Sequence, residues 1–122
     1  MFPAFFLFSI SVLLFSCQKQ KQVSIVGGWL EISVYQENAG QLSWGEATKF
    51  PLRLWLDANG KYAAFNDVPA GRGNYSYDHS TGRLKFETLN ALGPETYSVS
   101  YLDDNYLIID YSPEYKIKFV RL

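Results

Sequence analysis

The chain has 122 residues, of which 48% are hydrophobic and 17% aromatic, and its 11 Lys and Arg residues nearly balance its 12 Asp and Glu residues. A net charge of −1 provides no basic surface for nucleic acid, so we exclude nucleic-acid binding. One histidine and one cysteine are too few for His/Cys metal sites, an internal disulfide or a Cys-His catalytic pair. We therefore expect a protein that is not an enzyme and uses no metal or cofactor.

Residues 1–16 are predicted to be a targeting signal, because they contain no charged side chain. Their apolar run is shorter than the about 20 residues that a membrane-spanning helix needs, and it has the length of a signal-peptide core. The alternative is a buried hydrophobic helix followed by an ordinary thiol at Cys17. Residues 18–22 (QKQKQ) favour the signal, since they are too polar to bury themselves. We predict that residues 17–26 form a tether.

The signal closes on Leu14-Phe15-Ser16-Cys17, which resembles the lipobox of bacterial lipoproteins. The resemblance implies cleavage before Cys17, a diacylglycerol on its thiol, and a further acyl chain such as palmitate on its amine. Each buried methylene contributes about 0.8 kcal/mol, so more than one chain gives a durable membrane anchor. It also implies a place in the bacterial cell envelope, facing the periplasm, because no acidic run follows Cys17.

Residues 27–122 are predicted to form an all-β domain, because apolar and polar residues alternate and turn residues recur at short intervals. In the clearest strand, Leu84 and Phe86 alternate with Lys85 and Glu87. Strands are predicted near residues 29–35, 50–56, 61–66, 72–77, 83–88, 95–101, 106–111 and 115–121. The longest connections, residues 36–49 and 89–94, are predicted to be loops.

Eight sequential antiparallel strands with short connections are enough to close an up-and-down barrel without exposed edges. A β-sandwich of the same strands is the alternative. Closure would place the start of the first strand beside the end of the last, and therefore Trp29 beside Arg121. Since Arg121 has the parity of Ile117 and Phe119, we predict that it points inward and stacks on the indole as a cation–π pair.

Gly27-Gly28-Trp29 and Arg121 resemble the G-x-W motif and closing arginine of the lipocalins and related calycins. Further segments resemble the small lipocalin-like lipoproteins of Bacteroidetes-type bacteria: residues 73–78 (GNYSYD), 80–82 (STG), 97–99 (YSV), 102–105 (LDDN), 107–109 (LII) and 118–121 (KFVR). The resemblance covers nearly the whole domain. It implies a lipocalin-like barrel in the envelope, which we expect to be a monomer, and it names no particular ligand.

An eight-stranded barrel is either filled by side chains or holds one small ligand. The side chains predicted to face inward are Leu54, Tyr75, Tyr77, Phe86, Tyr97, Tyr101, Leu107 and Phe119. In one interpretation, tyrosine hydroxyls of this set orient a small hydrophobic or amphipathic ligand that is bound without catalysis. In the other, the barrel is filled and the protein is a structural lipoprotein that contacts another envelope protein.

Trp44 lies in the predicted loop 36–49 and also has two interpretations. If it is exposed at the barrel mouth with Leu92, it gates a pocket or contacts a partner protein. If the loop folds back, Trp44 covers the core as a lid. The single histidine, His79, is predicted to be a solvated turn residue.

Overall fold

The computed structural model describes residues 22–66 and 69–122, and within these ranges the regular secondary structure is entirely β-strand. The predicted signal segment, Cys17 and the first part of the predicted tether lie outside the described residues. The described part contains no helix long and apolar enough to span a membrane. The strands are β1 (Gly27–Asn38), β2 (Gln41–Glu46), β3 (Arg53–Leu56), β4 (Lys61–Phe65), β5 (Pro69–Asp78), β6 (Arg83–Thr88), β7 (Glu95–Leu102), β8 (Tyr106–Ser112) and β9 (Tyr115–Arg121).

The sheet closes into an eight-stranded antiparallel barrel of β1 and β3 to β9. β1 pairs with β3 on one edge, and with β9 on the other from Trp29 opposite Arg121 to Tyr35 opposite Lys116. The predicted up-and-down barrel is therefore confirmed. The β-sandwich alternative is wrong, because the first and last strands pair with each other instead of lying in two facing sheets.

β2 is an extra strand outside the barrel, in the segment that the sequence analysis assigned to a loop. β1 runs on to Asn38 and reverses through Ala39 and Gly40, with φ angles of 53° and 83°. Two central residues with positive φ are typical of the tight hairpin turn that matches strand twist. Leu42 and Trp44 alternate with polar neighbours in β2, but every side chain of this strand is exposed, because β2 lies outside the barrel and packs on no core. The prediction of a loop here is wrong.

Two β-bulges change which side chains face inward. In β1, the register against β9 shifts between Glu31 and Ser33, so Ile32 is exposed. In β7, the register against β8 shifts between Val99 and Tyr101, and Tyr101 is 48% exposed. One extra residue reverses the alternation beyond the bulge. The prediction that Tyr101 faces the interior is therefore wrong.

One end of the barrel is closed by the segment before β1. Trp29 is fully buried, and its indole N–H donates a hydrogen bond to the carbonyl of Ile25 at 2.9 Å. Arg121 lies over the Trp29 ring, which confirms the predicted cation–π pair. Ile25 is itself part of the core, so the packed domain includes the end of the segment predicted to be a tether.

The buried core extends from this closed end into the middle of the barrel. The core consists of inward-facing side chains from most strands and from the segment before β1: Ile25, Trp29, Leu54, Leu56, Tyr62, Leu84, Phe86, Leu107, Ile109, Ile117 and Phe119. The opposite end, where β2 connects to β3, β6 to β7 and β8 to β9, is open. The candidate site lies there.

Candidate functional site

A cavity of about 290 Å³ enters the barrel from the open end. It lies at the lower limit of the about 300–1,000 Å³ typical of small-molecule sites, so it suits a small ligand. A larger depression of about 610 Å³ lies on the outer face, between Phe50, Trp55 and Phe65. We take the interior cavity as the candidate site because the barrel's inward-facing side chains wall it. The full lining, which also includes exposed residues at the rim (Ala70, Ala91 and Glu95), is Leu52, Leu54, Tyr62, Ala64, Ala70, Gly71, Phe86, Thr88, Ala91, Glu95, Tyr97 and Tyr111.

Five aromatic rings, which we call the aromatic belt, follow one another around the inside of this end: Tyr62, Phe86, Tyr97, Tyr111 and Tyr115. Successive ring centroids are 4.7, 6.2, 4.5 and 6.0 Å apart, with tilted or edge-to-face planes. These are the spacings that aromatic pairs prefer. The belt therefore joins β4, β6, β7, β8 and β9 into one continuous aromatic wall.

Small residues on β4 and β5 leave the space that the belt surrounds. Ala64 lines the cavity two positions after Tyr62 on the same face of β4. At Gly71, an added Cβ would lie 3.4 Å from the Tyr62 hydroxyl oxygen and 3.6 Å from Cγ2 of Thr88. The cavity therefore exists because this side of the wall carries almost no side-chain volume.

The polar atoms of the cavity are hydroxyls and a carboxylate. The Tyr97 hydroxyl donates a hydrogen bond to Oε2 of Glu95, and the hydroxyls of Tyr62 and Thr88 are hydrogen-bonded to each other. None of the described residues that line the cavity carries a positive charge. The site can therefore offer a ligand apolar contact, ring faces and hydrogen-bond acceptors.

Glu31 places a second carboxylate behind the belt, although it is only 3% exposed. Oε2 accepts hydrogen bonds from the Thr48 amide and hydroxyl, each at 2.7 Å, and Oε1 accepts one from the Leu52 amide at 3.4 Å. The Glu31 amide donates to the Leu52 carbonyl at 2.9 Å. These bonds lie where β1 stops pairing with β3, after Leu30, and begins to pair with β2, at Ser33. They also hold Leu52, which lines the cavity, against the barrel.

Burial and the two carboxylates raise the pKa of three tyrosines of the belt. Burial, followed by the hydrogen bond to Glu95 and its negative charge, raises the pKa of Tyr97 from 10.0 to about 12. Burial is also the largest cause of the raised pKa of Tyr111, to which Tyr97, Tyr115, Glu31 and Glu95 add. The pKa of Tyr115 is raised by burial and by the charge of Glu31. These three phenols therefore keep their protons to a higher pH than free tyrosine does.

Among the predicted ligand-binding residues, Leu54, Phe86 and Tyr97 line the cavity. Phe119 and Leu107 also face inward but are fully buried in the core. Packing around these two residues leaves no room for a ligand beside them.

Two other predicted residues, Tyr75 and Tyr77, face inward towards the closed end. The Tyr75 hydroxyl donates to the Asp57 carbonyl at 2.5 Å. The Tyr77 ring packs edge-on against His79, with centroids 4.6 Å apart. Both are part of the closed end and neither lines the cavity.

Trp44 and Tyr101 lie outside the barrel. Trp44 is 44% exposed on β2, and its ring centroid is 5.5 Å from that of Tyr35. The lid interpretation of Trp44 is therefore wrong, because its ring covers its hairpin partner and not the core. The Tyr101 hydroxyl donates to the Asp103 carboxylate at 2.5 Å.

Five residues in and around the site were not predicted from the sequence: Tyr62, Tyr111, Tyr115, Glu31 and Glu95. Tyr111 has the parity of Leu107 and Ile109, so the alternation in β8 contained the signal. For Glu31, the signal was an acidic residue two positions after the inward-facing Trp29.

No protein-family model matches the chain, and no curated protein matches it. Among solved structures, the chain is similar to the crystal structure of an uncharacterized protein from Bacteroides eggerthii, with a TM-score of 0.56 and 14% sequence identity. The match covers 81% of this chain and 100% of that chain. At this identity the likeness shows the fold alone, and the class of protein is a small closed antiparallel β-barrel.

Proposed function

We propose that this protein is a lipid-anchored, lipocalin-like barrel of the bacterial cell envelope that binds a small hydrophobic or amphipathic ligand without catalysis. The observation that carries the proposal is the cavity of about 290 Å³ inside the open end. The same barrel is tightly filled at its other end. A wall of apolar side chains with a few convergent polar groups is the usual form of a small-molecule site.

The chemistry of the cavity matches an amphipathic ligand. Leu54, Phe86 and the rings of Tyr62, Tyr97 and Tyr111 offer apolar surface, while the exposed Glu95 carboxylate and the Tyr97 hydroxyl bonded to it lie at the rim. His79 packs on Tyr77 towards the closed end and lies outside the cavity lining. The groups in the cavity supply orientation and contact, which supports binding without a chemical step.

The closed end is the better side for an anchor. Arg121 donates hydrogen bonds to the carbonyls of Ser24 and Val26, each at 2.7 Å, so the chain enters the domain at that end. From Cys17 to Gln22, five residues of extended chain reach about 17 Å at most. An acylated Cys17 would therefore hold the closed end towards the membrane and leave the cavity facing the periplasm.

Ligand binding can be tested by native mass spectrometry of the domain from Gln18 onward after exposure to an extract of its own envelope. We expect a discrete added mass that is lost on denaturation. Ala64→Leu fills the cavity and should abolish the added mass. Ala63→Leu, which adds the same volume at the preceding, outward-facing position of β4 and outside the cavity lining, is the matched control and should retain it. A bare protein mass over repeated extracts contradicts the proposal.

The anchor is tested separately by Cys17→Ala, which should release the protein from the membrane fraction. Membrane association that survives this substitution after a salt wash contradicts acylation at Cys17.

The second candidate function, contact with another envelope protein, is favoured by the outer depression. Phe50, Trp55 and Phe65 are 51%, 46% and 39% exposed there, and Lys49 and Arg53 flank them. Aromatic side chains and arginine, here Arg53, are enriched at protein interfaces. Two results together would favour this function over ligand binding. The wild type should be cross-linked to a partner that Trp55→Ser no longer captures, and the wild type should gain no mass from the envelope extract.

A further inference from the structure

We propose that the ligand of the open-end cavity is a small organic cation, an amine whose ammonium group lies against the Glu95 carboxylate and the rings of Tyr97 and Tyr111. Its apolar body would lie against Phe86 and Leu54. The inference rests on the proposed function and names the class of ligand.

The charge around the cavity is the first observation that favours a cation. The described residues that line the cavity include the carboxylate of Glu95 and no basic side chain, and the Glu31 carboxylate lies behind the belt. Nearby basic residues are on the outer face: Lys85 pairs with Glu87 at 3.3 Å, and Lys116 pairs with Asp110 at 3.8 Å. A cavity walled by one sign of charge attracts a ligand of the other sign.

The ring faces of the aromatic belt are the second observation that favours a cation. The rings of Tyr97 and Tyr111 are 4.5 Å apart with planes inclined by 53°, so together they form a corner at the cavity wall. The face of an aromatic ring is electronegative and attracts ammonium groups, and cages of such rings bind amines in other proteins. An anion would be repelled by the same ring faces.

The Glu95 side chain supplies the directional contact. The Tyr97 hydroxyl donates to Oε2 and fixes the carboxylate beside the belt. Oε1 accepts no hydrogen bond from the described residues, so it can accept one from an ammonium group. The volume of about 290 Å³ limits the ligand to a single ring or a short chain.

Three probes of nearly equal size separate charge from shape: 2-phenylethylamine, its neutral analogue 2-phenylethanol, and the acid 3-phenylpropionate. Isothermal titration calorimetry at neutral pH should show the amine binding about tenfold more tightly than the alcohol, with no binding of the acid. Glu95→Gln should weaken amine binding by about tenfold and alcohol binding by much less, because the alcohol carries no positive charge to pair with the carboxylate. Glu87→Gln, the same change on the outer face, should alter neither.

Equal binding of amine and alcohol, in both the wild type and Glu95→Gln, would overturn the cation inference while leaving the cavity as a ligand site. Preferential binding of the acid would also overturn it. If no probe binds but the envelope extract gives an added mass that Ala64→Leu abolishes, only the cation inference fails. If neither probes nor extract bind, the proposed function fails with it.

Discussion

The guanidinium carbon of Arg121 lies 4.2 Å from the centroid of the Trp29 ring, where the last strand of the barrel meets the first. Nε donates to the Asp104 carbonyl at 2.8 Å, Nη1 to Val26 and Nη2 to Ser24, each at 2.7 Å. One side chain therefore joins the segment before β1, the turn between β7 and β8, and the end of β9.

Arg121→Lys should destabilise the protein although it keeps the positive charge. An ammonium group can still lie over the indole, but it cannot donate in three fixed directions as the guanidinium does. We expect a loss of about 1–3 kcal/mol in the free energy of unfolding, measured by urea denaturation. Arg83→Lys, on the exposed outer face of β6, should change it by less than about 0.5 kcal/mol. Equal effects of the two substitutions would show that the three hydrogen bonds of the Arg121 guanidinium contribute nothing to stability.

Glu31→Gln should loosen the connection between β2 and β3. The carboxylate accepts from the Thr48 amide, the Thr48 hydroxyl and the Leu52 amide, whereas a glutamine would turn an N–H₂ group towards one set of these donors. We expect a loss of about 1–3 kcal/mol in unfolding free energy. Amide hydrogen exchange should become faster at Thr48 and Leu52 first. Glu37→Gln, which is exposed on β1, is the control, and unchanged exchange at both amides would contradict the role of Glu31.

The barrel was predictable from sequence because its strands alternate and its turns are short. The pair of Trp29 and Arg121 followed from closure alone, since strand order and parity fixed both positions. Leu54, Phe86 and Tyr97 likewise followed from parity, and all three line the cavity.

The errors arise where the backbone departs from regular pairing. The bulge at Ser100 turns Tyr101 outward, and nothing in the alternating residues of β7 indicates that this strand contains an extra residue. Parity predicted neither the existence of the cavity nor its position. Both depend on how much space the small residues Ala64 and Gly71 leave beside Tyr62, and such packing between strands cannot be read from one strand's alternation.

Trp44→Ala should have a small effect on stability. Its ring is 44% exposed and packs on Tyr35 at the hairpin, away from the core. We expect a loss of at most about 1.5 kcal/mol in unfolding free energy, the range of a single aromatic pair. Trp29→Ala, by contrast, should cost about 3–5 kcal/mol because Trp29 is fully buried. Urea denaturation of both variants checks this, and a comparable loss in Trp44→Ala would restore a role in the core.

Gly73→Ala should disrupt the pairing of β5 with β6. A Cβ at this position would lie 2.1 Å from the Glu87 carbonyl oxygen, and backbone cannot move aside as a flexible side chain can. We expect a loss of about 3 kcal/mol or more, in the range of severe overpacking. Gly93→Ala is the matched control, since nothing lies within 4 Å of its added Cβ. Similar thermal midpoints for the two variants would show that the strands shift to accommodate the methyl group.

Tyr97 makes stability depend on pH at the alkaline end. Its pKa is raised from 10.0 to about 12, chiefly by burial and by the hydrogen bond to Glu95, so the folded protein holds this proton more tightly than the unfolded chain does. The stability that this difference contributes is complete below pH 10 and is lost as the pH rises towards 12. Tyr97→Phe removes the group, so its unfolding free energy should fall less steeply than that of the wild type in this window.

Urea denaturation across this window, together with tyrosinate absorbance of the folded protein, provides the measurement. Glu95→Gln should let Tyr97 ionise at lower pH, because it removes both the charge and the charged acceptor that hold the phenol proton. Glu87→Gln removes the same charge from the outer face and should leave the titration unchanged. Identical alkaline unfolding curves for the wild type and Tyr97→Phe would mean that Tyr97 is neither buried nor hydrogen-bonded to Glu95 in solution. The cavity would then lack the fixed carboxylate on which cation binding depends.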